Sequence, residues 1–489
     1  MWHTPGDSYR QATTISALPD NVLLEIFCFY KEKAENRRNY FGYRPEWKWH
    51  LLVHVCRGWR QVVFGSPLRL KLRILCTPRT PAGKALGIWP ALPIVIDIRR
   101  NGGPYYDNLP SSSEDNIVAA LEHSDRVCEI WIRTLGSNLE KIVTTMQGTF
   151  PLLTVLHILS VSGNGPVLPA EFLAPRLQMI TLHRIPFPAL PTLLLSTGDL
   201  VTLHLDDIPP SGYISPEAIV AGLAALSRLK DFTITFECTT PRPDQTTPPP
   251  ATRTVLPALT RFEFQGASEY LEDLVSRIDA PQLSKISTYY FNQLADIPVT
   301  QLRMFVDRSV GPRSTQLRNA ALTFYGNLVD FQTYGHADSQ PGSLVDTGIA
   351  ILCQGFDWQV AHIAQVLSHF SASLSNAVHL ELDDYLNISD PNLEGTDNHG
   401  CLDIFHQFST VQTLHVSQVL AGHVALALED ITSEAIPEML PSLDLVYLEG
   451  QPASSIEKFI AARQRSGRPV TVVDTRKEFV ARGVSYFRK

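Results

Sequence analysis

The chain has 489 residues, a formal charge of −8, 44% hydrophobic and 18% charged residues. That is globular composition with ample material for a core, and it argues against a largely disordered chain or a global basic field recruiting nucleic acid. Seven cysteines are scattered without a Cys-x-x-Cys pair, which fits free thiols in a reducing compartment, cytoplasmic or nuclear. No stretch approaches the apolar length of a membrane span, and MWHTPGDSYRQATT lacks the basic start and apolar run of a secretory signal. No membrane association is therefore expected.

Residues 1–15 are polar and are expected to be mobile. Leu18 to Pro67 organises the rest as two amphipathic helices. Leu18-Pro19 leads in, and Asp20 or Asn21 can cap the first helix. Val22, Leu23, Ile26, Phe27 and Tyr30 follow at helical spacing. Leu52, Val55, Cys56, Trp59, Val62 and Val63 predict a second helix, ended by Gly65-Ser66-Pro67. Between them, Lys31 to Lys48 carries six Lys/Arg against three Glu, interleaved with Tyr40, Phe41, Tyr43 and Trp47, and reads as a solvated loop with anchoring rings. Two such short helices cannot bury their apolar surface on each other alone, so they must dock on the chain, on a partner, or on both.

Leu-Pro, a polar pair, Leu-Leu-x-x-Ile-Phe and, later, Val-Cys-x-x-Trp occur in that order, and this resembles the F-box. The insert Lys31–Lys48 is longer than the turn of many F-boxes. The runs LCTPRTP and IWPALPIVI look like the continuation in many F-box proteins of mushroom-forming fungi. The resemblance implies a helical module at 16–67 that docks on an Skp-type adaptor of a cullin ubiquitin ligase. Leu18, Pro19, Val22, Leu23, Ile26, Leu52, Val55, Cys56, Trp59 and Val62 would split between that contact and the module's own core, with Trp59 as the candidate anchor.

From Leu68, Leu70, Leu72 and Ile74 alternate with basic residues and predict a strand, then a helix at Lys84–Ile88 and a buried strand at Ile94–Ile98, within a connecting segment, 68–110. A degenerate repeat, apolar-x-x-apolar-x-apolar, then runs through 111–474. It occurs at Val127/Ile130/Ile132, Leu153/Leu156/Ile158, Leu177/Ile180/Leu182, Leu200/Leu203/Leu205, Leu229/Phe232/Ile234, Leu259/Phe262/Phe264, Ala377/Leu380/Leu382, Val411/Leu414/Val416 and Leu443/Val446/Leu448. Most of the steps fall in the period range of leucine-rich repeats. At Leu283/Ile286 the third place is Thr288. Asn319/Leu322/Phe324 reads as one irregular unit in a region, 300–375, that fits poorly. Helices are predicted at Glu114–His123, with Ser111 and Glu114 at capping-box spacing, and at Pro216–Ser227, Tyr270–Ile278, Val360–Phe370 and Ile456–Arg465. The fold class expected is α/β, an all-α front followed by an irregular leucine-rich-repeat-like solenoid. A chance period in a plain α/β domain is the alternative.

Thr239–Thr254, Asp338–Thr347 and Ser389–His399 read as loops, and the tail 475–489 holds five Lys/Arg and one Glu. Asn387-Ile388-Ser389 is a formal glycosylation sequon. No phosphate-cradling, nucleophile-elbow or metalloprotease motif occurs. His50, His54 and Cys56 lack the further ligands of a metal site. Asp206-Asp207 and Asp383-Asp384 are expected to end strands or hold a basic partner. The expected function is therefore a non-catalytic substrate-recognition subunit of an SCF-type ligase, with no cofactor, no metal and no nucleic acid. Its partners would be an Skp-type adaptor and, through it, a cullin, with a target protein on the repeats. The alternatives are an adaptor-independent repeat protein capped by F-box-like helices and a diverged enzyme domain.

Overall fold

A computed structural model of the chain describes residues 15, 18–35, 49–98, 111–238, 252–291, 297–309, 319–334, 346–353, 355–385, 399–430, 439–449 and 456–474. The polar start, most of the insert 31–48, most of the loops 239–254, 338–347 and 389–399, the sequon at Asn387 and the basic tail lie outside these residues. The fold is mixed α/β, with helices and a large, mostly parallel sheet. The chain divides into two compact units, 1–163 with 171–174, and 164–170 with 175–489.

The first unit opens with α1 (Asp20–Glu35), α2 (Trp49–Val53) and α3 (Arg57–Gly65). It continues with β1 (Ile74–Cys76), α4 (Ala82–Ile88), β2 (Ile94–Asp97), α5 (Ser111–Leu121), β3 (Val127–Thr134), α6 (Gly136–Thr144) and β4 (Val155–Ser160). Strands β1 to β4 pair in parallel, in sequence order. Every residue of β2 is buried, Asp97 included.

The second unit holds β5 (Met179–His183), α7 (Leu190–Leu195), β6 (Thr202–Ile208), α8 (Pro216–Leu223), β7 (Asp231–Phe236), β8 (Thr254–Val255), β9 (Arg261–Gly266), α9 (Ser268–Ser276), β10 (Ile278–Asp279), β11 (Lys285–Tyr290) and α10 (Thr300–Ser309). Next come β12 (Asn319–Tyr325), β13 (Leu328–Tyr334), β14 (Asp346–Leu352), α11 (Phe356–His369), α12 (Ser371–Leu374), β15 (His379–Asp384), α13 (His399–Phe405), β16 (Thr413–Val416), α14 (Gln418–Asp430), β17 (Leu445–Leu448), α15 (Glu457–Arg465) and β18 (Thr471–Asp474). The strand order is β5-β6-β7-β9-β11-β14-β13-β12-β15-β16-β17-β18, with β8 and β10 as a separate pair.

Alternation explains the layering. Every apolar residue that defines the nine repeated units is at most 5% exposed. Their partners match in register: Leu203 lies beside Ile180 and Phe232, and Phe262 beside Phe232 and Ile286. The residues between them point to the other face, so one face of the sheet carries the core and the other carries polar and aromatic side chains. Helices pack on the core side: α7 and α8 meet at Gly222, where a Cβ would sit 3.1 Å from Leu194 Cβ and 3.2 Å from Pro191 Cα. Thr288 breaks the apolar rule yet is buried, because its hydroxyl donates to the Gly348 carbonyl at 3.3 Å.

The poorly fitting region is an antiparallel insertion. β12, β13 and β14 form a meander wedged between β11 and β15, with parallel pairing only at its two edges. This corrects the reading of Asn319/Leu322/Phe324. Leu322 pairs with Leu382, and Ala320 with Leu380, two residues out of the expected phase. Three more expectations are corrected. The second predicted helix is two, because the chain leaves helix at His54–Cys56 and restarts at Arg57. Leu70 and Leu72 are buried, but Lys71 adopts φ 45°, so the strand starts only at Ile74. Helix α1 runs to Glu35, into the segment read as loop. The Ser111 side chain of the expected capping box lies outside the described residues.

At the far end, Arg463 on α15 is 1% exposed and donates through Nη2 to the Leu443 carbonyl at 2.7 Å. Its other amine reaches the Leu440 carbonyl at 3.4 Å. Arg463→Met keeps the stem volume and strands the Leu443 carbonyl, while the Leu440 carbonyl still accepts from the Leu443 amide at 3.0 Å, so it should cost about 1–3 kcal/mol in urea denaturation.

Candidate functional site

Helix α1 carries two apolar stripes. Leu23, Leu24 and Phe27 are buried, and Phe27 packs on Trp59 of α3 with ring centroids 4.8 Å apart. Val22, Ile26, Phe29 and Tyr30, spaced i, i+4, i+7 and i+8, stay 38%, 41%, 68% and 39% exposed. Leu51 and Val55, on and after α2, are also exposed. A row of four large apolar side chains along one helix is more than scattered surface hydrophobics.

The ten residues singled out in the sequence separate accordingly. Leu23, Leu52 and Val62 are buried, and Leu18 and Trp59 are half-buried. Pro19, Val22, Ile26, Val55 and Cys56 are exposed. Cys56 is the N-cap of α3, its sulfur accepting from the Trp59 amide at 3.4 Å. That contact accounts for the Cys-x-x-Trp spacing: cap and N3 residue. Arg60 Nε closes α2 by donating to the Val53 carbonyl at 3.0 Å. Phe29 and Leu51 were not singled out, although the i, i+7 step from Val22 to Phe29 was available.

Trp49 ties these helices to the strands. Its indole donates to the Arg73 carbonyl at 2.9 Å, and its ring lies 5.3 Å from Trp89 and 6.1 Å from Phe64. Arg69 pairs with Glu25, and Arg73 with Glu129. His50 and His54 are both exposed, and among the described residues no His/Cys/Asp/Glu group could hold a metal.

The second surface is the face of the sheet away from the core. Asp207 there serves the fold: it takes φ 50° at a bulge, donates its amide to Thr235 Oγ1 at 2.7 Å and accepts from Arg184 at 3.1 Å. The other acid pair is different. Asp383 accepts from the Asp384 amide at 2.8 Å, and Asp384 accepts from the Ser417 hydroxyl. Burial, then Glu381 and Asp384, raise the Asp383 carboxyl above its ordinary value. Burial, then Asp383 with Asp384 and Glu381, raises Glu449, and burial raises Asp330.

These shifts set a sign. A carboxyl raised on folding favours its protonated form, so it costs the fold stability that sets in as pH rises past the ordinary value and is complete above the folded one. Asp383→Asn should therefore melt higher than the parent at pH 7. The gain should vanish as pH falls below the ordinary carboxylate range, where both side chains are neutral. Paired thermal melts at pH 7 and pH 3.5 measure it.

A pocket between α11, α13, α14 and the sheet is lined by Phe324, Phe356, Leu382, Leu420 and Val424, with His423 held below its ordinary value by burial. No helix among the described residues is long and apolar enough to cross a membrane. No protein-family model matches the chain, and no curated protein matches it significantly.

Proposed function

We propose that this protein is a substrate-recognition subunit of an SCF-type ubiquitin ligase. The reading is carried by one observation: the helix whose sequence resembles an F-box leaves Val22, Ile26, Phe29 and Tyr30 uncovered in a row. An apolar stripe of that length on a helix already packed on its other side fits a groove in a partner. The partner would be an Skp-type adaptor and, through it, a cullin. The sheet-bearing part reads as a degenerate leucine-rich-repeat array interrupted by the β12–β14 meander. Its open face would hold a target protein, raising the target's effective concentration near a ubiquitin-charged enzyme. The chain itself would break no bond.

A second reading has its own support. The Trp49 hydrogen bond and the Trp49–Phe64–Trp89 cluster lock α2 and α3 onto the strands. A helical cap for a repeat array needs that arrangement and no adaptor. Mixing the full chain with a purified Skp-type adaptor separates the two. Co-elution from a sizing column supports the ligase reading; separate elution at micromolar concentrations retires it in favour of the cap.

A further inference from the structure

Strands β12 to β17 contain no lysine or arginine. Their open face nevertheless gathers carboxylates from distant parts of the chain. Asp330 pairs across β13–β12 with Thr323, and Thr323 across β12–β15 with Asp383. One residue past the paired Leu382, Val416 and Leu448 lie Asp383, Ser417 and Glu449. The row therefore reads Asp330, Thr323, Asp383, Ser417, Glu449, with an acid on every second strand. Strands lie about 4.8 Å apart, so successive acids are about 9–10 Å apart.

Aromatic rings bank this track on both sides. Tyr325 and Tyr385 stack face to face at 5.2 Å along one edge, and Tyr385 is 65% exposed. Along the other edge His415 stacks on Tyr447 at 4.1 Å, next to Glu381, which accepts from Tyr334. Asp330 is only 8% exposed and accepts from Gln332, a neutral donor, at 2.6 Å. Among the described residues no cation neutralises Asp330, Asp383 or Glu449. A carboxyl that deep without a counter-charge favours its protonated form, and a cation laid on the row would draw it back to the charged form.

Carboxylates flanked by aromatic rings suit guanidinium groups, which take paired hydrogen bonds in plane and stack on aromatics. The spacing selects the conformation of the chain that carries them. A polyproline II segment repeats every three residues at about 3.1 Å each, so every third side chain recurs on one face after about 9 Å. We infer that the open face of β12–β17 docks a proline-rich protein segment carrying arginine at every third residue, laid across the strands along Asp330, Asp383 and Glu449. This names the target class for the receptor reading and rests on that reading only for the bound chain's fate. Peptide binding needs no adaptor, so the two can fail separately.

The test is fluorescence anisotropy of the full chain with a labelled peptide of four Arg-Pro-Pro triplets at low salt. The expected result is saturable binding that weakens with added salt. Asp383→Asn and Glu449→Gln should each weaken it about tenfold, the loss of one charge-assisted contact. Asp383→Asn is expected to melt no lower than the parent, so its loss of binding is not loss of fold. Glu263→Gln, on the exposed part of β9, should bind as the parent does. A peptide of the same composition with its arginines in one block should bind at least about tenfold more weakly. Equal affinity for the two peptides, an Asp383→Asn/Glu449→Gln chain that binds like the parent, or no saturable binding overturns the inference. So does binding that appears only when the chain is cut after Asp474, since the occupant would then be its own basic tail.

Discussion

Phe262→Ala should lower stability by about 3–5 kcal/mol, the range for emptying a buried aromatic site. Phe262 is fully buried near the start of β9. Its ring stacks on Phe232 of β7 at 5.3 Å and meets Phe305 of α10 edge-on at 6.3 Å. The loss exceeds simple transfer to water because the site cannot collapse. β9 is held in parallel ladders by β7 and β11 on either side, which fix the spacing of the backbones around the hole. Phe262→Leu refills most of the space and should cost well under half as much. Urea denaturation measures both, and an unchanged m-value shows that the midpoint shift reports stability. An alanine variant within about 1 kcal/mol of the parent would mean that the aromatic stack is not continuous core.

The repeated strands could be read from the sequence because each fully buries three side chains at fixed offsets, as Leu203 and Phe262 show. Two features of the fold have no such local mark. The β12–β14 meander alternates like any other strand, and a slip of two residues leaves the same side chains facing the core. Burial of Leu322 and Phe324 is therefore compatible with either register, and only the pairing of Leu322 with Leu382 decides it. Short helices are the other case. α6 begins at a glycine and α7 has six residues, and such pieces owe their helicity to packing more than to propensity. The break between α2 and α3 is hidden because Leu52, Val55, Cys56 and Trp59 keep helical spacing across it.

The same limits govern the two candidate surfaces. Spacing gives α1 two apolar stripes but not which one the chain covers; Phe27 against Trp59 decides that in favour of the Leu23 side. Asp383-Asp384 is visible as a pair, yet its partners Asp330 and Glu449 are brought beside it only by strand order. No local pattern in a sequence encodes a row that crosses five strands.

Val22→Glu with Ile26→Glu should abolish adaptor capture while leaving the fold intact, if α1 docks as proposed. Covering the part of Val22 and Ile26 that is still exposed contributes roughly 0.5–1 kcal/mol each. Two such losses, with two carboxylates forced into an apolar contact, weaken the complex by more than about a hundredfold. The folded chain loses little. Both side chains are solvent-exposed, glutamate is a better helix former than valine or isoleucine, and changes at such positions stay within about 0.5 kcal/mol. Phe27→Ala is the matching control from the other stripe: it removes the partner of Trp59 and should lower the melting temperature before it touches binding. The pattern that separates docking from capping is thus a double exchange. If α1–α3 only cap the sheet, the glutamate pair is silent in every assay. If the exposed stripe is the docking face, that pair eliminates the complex at unchanged melting temperature, while Phe27→Ala destabilises a chain that still binds.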